Sequence, residues 1–312
     1  LAVPGELAGQ RLDQAAATLL PEFSRSRLKA WIDAGALTLG GDKAKPRTRL
    51  KGGEQLTLDT ELAPAGEVVP EPIPLTIVHA DEALLVIDKP AGLVVHPGAG
   101  NRSGTLQNAL LNRYPELKTL PRAGLVHRLD KDTSGLLLVA RTIASQTALA
   151  AAIERRAVKR TYEAICQGVL TGGGTVDAPV GRHRRERTKM AVVAGGRAAR
   201  THYRVIERFR AQTHCEIELE TGRTHQIRVH MAHIGAPLLG DPVYGGRAKL
   251  PRSPSDELKA ALQGFKRQAL HASRLRLAHP STGAALDFAS PLAPDFAALL
   301  ALLRDDIRRP PA

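Results

Sequence analysis

Apolar positions follow two rhythms along the chain, and the change between them marks two units. Early on the spacing is helical. Leu12, Ala16 and Leu19 fall at intervals of three and four, and Pro21 ends that run. Leu28, Trp31 and Ile32 repeat the pattern behind Ser24, which stands where a helix N-cap belongs. Arg25, Arg27 and Lys29 lie near the start of that second helix. Two short strands are expected at 36–39 and 55–58, the first running into a Gly-Gly-Asp turn. Together these elements predict a small unit over residues 10–60.

Residues 61–74 hold four prolines and no apolar rhythm, which predicts an extended linker. From 75 to 304 many short strands recur. Residues 75–98 read as two strands joined by a tight turn and followed by a Pro-Gly loop. Further strands are expected at 136–140, 160–167, 175–176, 199–209, 213–220 and 275–278, and helices at 105–113, 145–155, 224–234 and 295–303. Strands with interspersed helices, lacking regular βαβ alternation, predict an α+β fold with a mixed or antiparallel sheet flanked by helices. No internal repeat is found, and residues 304–312 are expected to be solvated.

Composition adds class and partner. With 312 residues, 43% hydrophobic and 24% charged, the chain suits a soluble protein with one large and one small domain. No apolar stretch is long enough to span a bilayer, so no membrane partner is expected. The start lacks a basic segment leading into an apolar run, and the missing Met is read as trimming. Cys166 and Cys215 are too few and too far apart in sequence for a disulfide framework or a zinc ribbon, which predicts a reducing cytoplasm. The net charge of +13 points to a polyanion. Residues 155–210 carry fourteen Lys and Arg against four acids, a cluster that predicts a phosphate-tracking face including Arg182, Arg184 and Arg185. Ten aromatic residues are few for stacking along single strands, so structured RNA held by its backbone fits better.

Candidate chemistry concentrates in 124-GLVHRLDKDTSGLLLVA-140. His127, Arg128, Asp130, Lys131 and Asp132 crowd into a turn directly ahead of an apolar strand. A carboxylate on a turn gripped by a strand is well placed for catalysis, although such a charge run on its own more often forms surface ion pairs. By residue chemistry Asp130 and Asp132 are equal candidates. This block, 221-TGRTHQIRVH-230 and 88-DKPAGLVVHPG-98 resemble, in this order, the signature blocks of the RluA/RluD family of RNA pseudouridine synthases. Residues 22–32, 93–101, 201–205 and 237–247 extend the resemblance towards the branch acting on large-subunit ribosomal RNA. The N-terminal unit resembles the α-L RNA-binding module of a small-subunit ribosomal protein, and Arg25, Arg27 and Lys29 would face RNA.

Isomerising uridine breaks an N–C glycosidic bond, turns the base and joins the same sugar carbon to a ring carbon. It needs an ionised carboxylate and a way to extrude the nucleotide, with no cofactor and no metal. The resemblance implies that Asp130 is the catalytic aspartate. It gives Arg128 a part in displacing the flipped base, with His127 beside it for substrate binding. It also implies that Tyr162 packs against the uracil or acts as a base, and that Arg223 pairs with the aspartate. His225, His230 and His233 lack an HExxH glutamate and are not expected to bind metal. Ser134 is rejected as a nucleophile and Gly172–Gly174 as a phosphate loop. The implied partner is large-subunit ribosomal RNA, or a pre-ribosomal particle, acted on by a monomer. The alternatives are the same chemistry on transfer RNA, or a non-catalytic RNA-binding assembly factor.

Overall fold

Leu12, Ala15 and Ala16 on α1 (Leu12–Leu19) meet Leu28 and Ile32 on α2 (Arg25–Ala34), as the helical spacing requires. This computed structural model describes residues 1–20, 25–59, 68–98 and 101–308, with only the backbone at 25–27; the side chains of Arg25 and Arg27 therefore lie outside the described residues. An antiparallel ribbon, β1 (Leu37–Leu39) with β2 (Leu56–Leu58), completes the first unit. Val3 is buried in the same core, and the amino group of Leu1 donates to the Leu56 carbonyl at 2.9 Å. The unit thus begins before residue 10. Chain contacts divide at 67/68, and residues 68–74 of the expected linker belong to the second unit. There the Asn108 side-chain amide donates to the Val69 carbonyl at 2.7 Å, and Val68 packs on the main core.

The second unit opens with β3 (Thr76–Ala80), β4 (Leu84–Lys89), α3 (Leu106–Arg113), β5 (Ser134–Ala140), α4 (Ile143–Glu154) and β6 (Lys159–Gln167). Then come β7 (Gly174–Asp177), the hairpin β8 (Val180–Arg182) and β9 (Met190–Val192), β10 (Arg200–Arg208) and β11 (Gln212–Leu219). It ends with α5 (Gln226–His233), α6 (Asp256–Gly264), β12 (Leu270–Ala278), β13 (Ala285–Ala289) and α7 (Pro294–Arg308). The main sheet runs β3-β4-β5-β12-β6-β11-β10-β7, with β13 also on β12. Its pairings are antiparallel except β5 with β12, so the sheet is mixed. Alternation along the strands loads both faces. Leu137, Val139, Tyr162 and Ile217 bury against α3 and α5, and Leu136 and Leu138 bury with Leu149 of α4. A third cluster joins Ile165 to α6 and α7.

Three features depart from expectation. α7 continues through residues 304–308 rather than ending at 303; four of these five residues are exposed, as expected, and buried Asp306 pairs with Arg210 at 3.0 Å. α6 is an additional helix, capped by the Ser255 hydroxyl accepting the Leu258 N–H, with Asp256 and Glu257 in its first turn. Cys166 and Cys215, distant in sequence, are diagonal neighbours, since Thr213 pairs with Cys166 and Cys215 with Ala164. Both are buried free thiols, and the approach of Cys215 together with burial pushes the Cys166 thiol up.

The parallel joint directly behind the HRLD turn needs glycine. Gly135 pairs with Ala272 at φ +106°, and a Cβ there would lie 2.3 Å from the Ala272 carbonyl oxygen. Gly135→Ala is therefore expected to part β5 from β12 and cost more than about 1 kcal/mol, since strain and a backbone clash coincide. A Tm equal to that of the wild type would contradict this.

Candidate active site

The turn carrying Asp130 is fixed through its backbone. The Thr133 N–H donates to the Asp130 carbonyl at 3.1 Å, closing the turn. The Lys131 carbonyl accepts from the Gly92 N–H at 3.0 Å and from Lys89 Nζ at 2.9 Å, and the Asp132 carbonyl from Arg267 at 3.1 Å. Lys89 is fully buried and also donates to the carbonyls of Pro90 and Leu93, so the DKPAG loop and the turn of Asp130 share one ammonium. Burial pushes this lysine down to about 7, against the opposing pull of Asp132 and Asp130.

Asp130 projects into a cavity of about 440 Å³ bounded by the turn, β6, the end of β11 and the entry to α5. Asp132 does not line it, which separates two carboxylates that residue chemistry left equal. The Asp130 side chain is 16% exposed, and its Oδ2 accepts from Arg228 Nη1 at 3.0 Å. Arg228 in turn donates from Nε and Nη2 to both oxygens of buried Asp241, at 2.6 and 2.8 Å. Burial works to raise the Asp241 carboxyl, but Arg228 outweighs it and holds the group below the usual range. Asp241 is itself fixed by the N–H groups of Val243 and Tyr244. Tyr244 sets its ring 5.0 Å from the guanidinium carbon, and its hydroxyl joins the Met190 N–H and His225 Nδ1. His225 Nε2 lies 3.9 Å from Asp130 Oδ1.

This corrects the expected partner of the aspartate: the counter-ion is Arg228, not Arg223. The cause is local. His225 adopts a left-handed backbone, φ 55°, at the cap of α5, and so turns the chain between the two arginines. Arg228 then enters on the helix and points at Asp130, whereas Arg223 Nε donates to the Ala198 carbonyl at 3.0 Å. Arg223 still lines the cavity, beside Arg197 and Arg156; burial and these like charges push its guanidinium down. Gln226 pins the entry, its Oε1 accepting from the Thr221 hydroxyl and the Arg223 N–H.

The other candidates sort by burial. Tyr162 is 5% exposed on the cavity wall, and burial pushes its phenol up, so it stays protonated. That favours a packing surface over a base. His127 accepts the Leu138 N–H on Nε2 at 3.0 Å and is pushed to about 3 by burial and Arg160. A neutral strut between turn and β5, it cannot supply the cation that a phosphate would want. Arg128 is exposed, borders the cavity, and has no hydrogen bond or ion pair among the described residues. His230 is structural, spending Nδ1 on Thr201 and Nε2 on the Ala178 carbonyl.

The basic segment 155–210 is partly self-neutralised. Arg156 pairs with Glu220, Arg200 with Asp177, Arg204 with Glu216 and Arg210 with Asp306. Arg184 and Arg185 stay exposed in the 183–189 connection of the β8–β9 hairpin, next to Arg182, whose Nη1 donates to the Arg187 carbonyl. In the first unit Lys29 is exposed. Sequence reasoning missed Arg228, Asp241, Tyr244 and the placement of His225. The signal was present in the 221–230 and 237–247 blocks, whose conjunction is tertiary.

Comparison with known proteins places the chain in a family. Residues 83–233 match the RNA pseudouridylate synthase family, and residues 10–56 match the S4 domain. A protein of Pseudomonas aeruginosa named ribosomal large subunit pseudouridine synthase D is 58% identical over 97% of this chain and 95% of its own. One of the same name from Xanthomonas campestris is 54% identical over 98% and 93%. Human RNA pseudouridylate synthase domain containing 1 superposes with a TM-score of 0.56 at 26% identity, covering 73% of this chain and 87% of that one. The S4 module, the shared fold and this near full-length identity converge, and the chain belongs to the RNA pseudouridine synthase family.

Proposed function

We propose that the chain isomerises uridine to pseudouridine at defined positions of large-subunit ribosomal RNA, free or in a pre-ribosomal particle, in the cytoplasm. The observation that carries the chemistry is Asp130, a carboxylate on a braced turn, facing a nucleoside-sized cavity and clamped on one oxygen by Arg228. The substrate class rests on the relatives that bear the large-subunit name at up to 58% identity. Asp130 Oδ1 accepts no hydrogen bond among the described residues and is the oxygen left to act on the nucleotide. Arg228 fixes the carboxylate orientation, and Asp241 fixes Arg228. Arg128, exposed at the mouth, is suited to fill the gap left by an extruded base. Among the described residues no helix is long and apolar enough to cross a membrane.

RNA tritiated at uridine C5 tests the reading directly, since joining the sugar to C5 expels that hydrogen. Release by the purified protein is expected. Mapping pseudouridines in ribosomal and transfer RNA of a deletion strain then identifies the substrate. Losses confined to transfer RNA would remove the ribosomal assignment.

Deleting residues 1–67 is expected to leave a folded catalytic unit, because the small core is built wholly from residues 3–58. RNA affinity should fall, and the salt dependence should flatten by roughly 0.7–0.9 for each phosphate that the first unit no longer neutralises. Turnover at saturating RNA should persist. Equal affinities and slopes for both proteins would show that the first unit does not bind this RNA.

A further inference from the structure

We propose that Arg160 is a base-binding residue of this reaction. Its guanidinium receives the oxygen-bearing edge of the uracil and stabilises the charge the base carries while it is detached from the sugar. The inference rests on the uridine isomerisation reading above.

Arg160 is 7% exposed, yet its side chain makes no ion pair and no hydrogen bond among the described residues, and its Nε is buried without an acceptor. Exposed Glu154 apart, the carboxylates that share its two pockets are committed elsewhere. Glu220 is held by Arg156 at 2.5 Å, His202 at 2.7 Å and Arg200 at 3.6 Å; Glu218 lies 3.5 Å from Arg276; Asp130 is held by Arg228. A buried cation without a partner costs stability, so such an arrangement points to a ligand that supplies the partner. Room for the guanidinium itself is kept by glycine, since a Cβ on Gly222 would lie 2.9 Å from Arg160 Nη1.

Position selects the base over the phosphate. Arg160 and Tyr162 are two apart on β6 and line the same cavity as Asp130. Arg128, Arg156 and Arg197 border that cavity and are exposed, as hydrated phosphodiesters require. A guanidinium set into the wall instead meets what enters the cavity, which is the flipped base.

The chemistry suits a fixed planar donor. When the C1′–N1 bond breaks, its electron pair stays on the base, spread over N1 and the carbonyl oxygens. Turning the ring about its N3–C6 axis exchanges N1 with C5 and O2 with O4. A donor aimed at one carbonyl before the turn therefore meets the other after it. The same pair then forms C1′–C5, the C5 proton leaves to solvent, and N1 takes up a proton. Atoms and electrons balance with no further reactant.

The test compares the full-length wild type with Arg160→Met and Arg160→Lys. It uses single-turnover tritium release at saturating protein, RNA affinity at two salt concentrations, and Tm. Arg160→Met is expected to slow release by about a hundred- to a thousand-fold, as loss of a preorganised donor does. Its affinity should stay within about three-fold, because phosphates supply most of the binding. Its Tm should equal or exceed that of the wild type, since an unmatched buried charge has gone. Arg160→Lys, a point charge in the same place, should recover about ten-fold over the methionine variant. Three results would overturn the inference: wild-type release by Arg160→Met, a defect confined to affinity with a flatter salt slope, or a lowered Tm marking Arg160 as a brace. A wild-type protein inert on tritiated RNA would instead remove the functional reading and the inference together.

Discussion

Asp130→Asn is expected to abolish tritium release, by at least about a thousand-fold, while RNA affinity stays within about three-fold. The amide keeps the shape and still offers Arg228 a carbonyl oxygen, so the braced turn should hold. What is lost is the charge facing the cavity. Asp132→Asn is the control. Asp132 engages Arg267 through its backbone carbonyl and lies outside the cavity lining, so that variant should stay within about ten-fold of wild type. If Asp132→Asn were dead and Asp130→Asn active, the assignment within the turn would be reversed.

The second large effect belongs to Arg228. Arg228→Ala strands the Asp241 carboxylate, whose side chain is 0% exposed, and frees Asp130 from its clamp. Removing one partner from a buried ion pair costs about 3–5 kcal/mol, so both a lowered Tm and a loss of turnover are expected. The two effects can be told apart. Arg228→Ala combined with Asp241→Ala also removes the stranded buried carboxylate and should recover part of the Tm without restoring turnover. Arg223→Ala should keep its Tm near that of the wild type, because it gives up one half-exposed hydrogen bond to a carbonyl. A collapse with Arg223→Ala and none with Arg228→Ala would refute the pairing described here.

Why the sequence pointed to one arginine and the fold uses another has a physical answer. The block 221–230 contains both, and which one faces the aspartate depends on where the helix begins. The spacing predicts a start at 224, whereas the helix begins at Gln226 behind a left-handed His225. No local pattern announces that conformation in a non-glycine residue, because its cost is met by tertiary contacts. The partner, Asp130, lies 98 positions away. By contrast, the turn and the strand behind it were legible because a charged cluster and an apolar run are adjacent in sequence. The central strands β4 and β5 were legible as short apolar runs next to turns. The β8–β9 hairpin was not: its two short strands flank the charged segment 183–189, which was read for its charge alone. The free-cation face was overestimated for a related reason: charge is visible in sequence, but its neutralisation across strands is not.

The lone parallel joint in the sheet bears on how the enzyme comes into being. β5 is laid down early in synthesis, but it meets β12 only when residues 271 and 272 exist to pair with Ser134 and Gly135. The His271 ring then takes up its bond to Ser134 across 137 positions. The β3-β4-β5 meander and the β6-β11-β10-β7 half can each form from nearer segments, and β12 is the strand between them. Loop-closure entropy must be overcome before that central seam forms, which makes it a late and slow step. A nascent chain therefore carries its reactive aspartate for more than a hundred residues without the strand that braces it. Until β12 has joined the sheet, a chain that already holds Asp130 is not expected to act on RNA as a half-made protein.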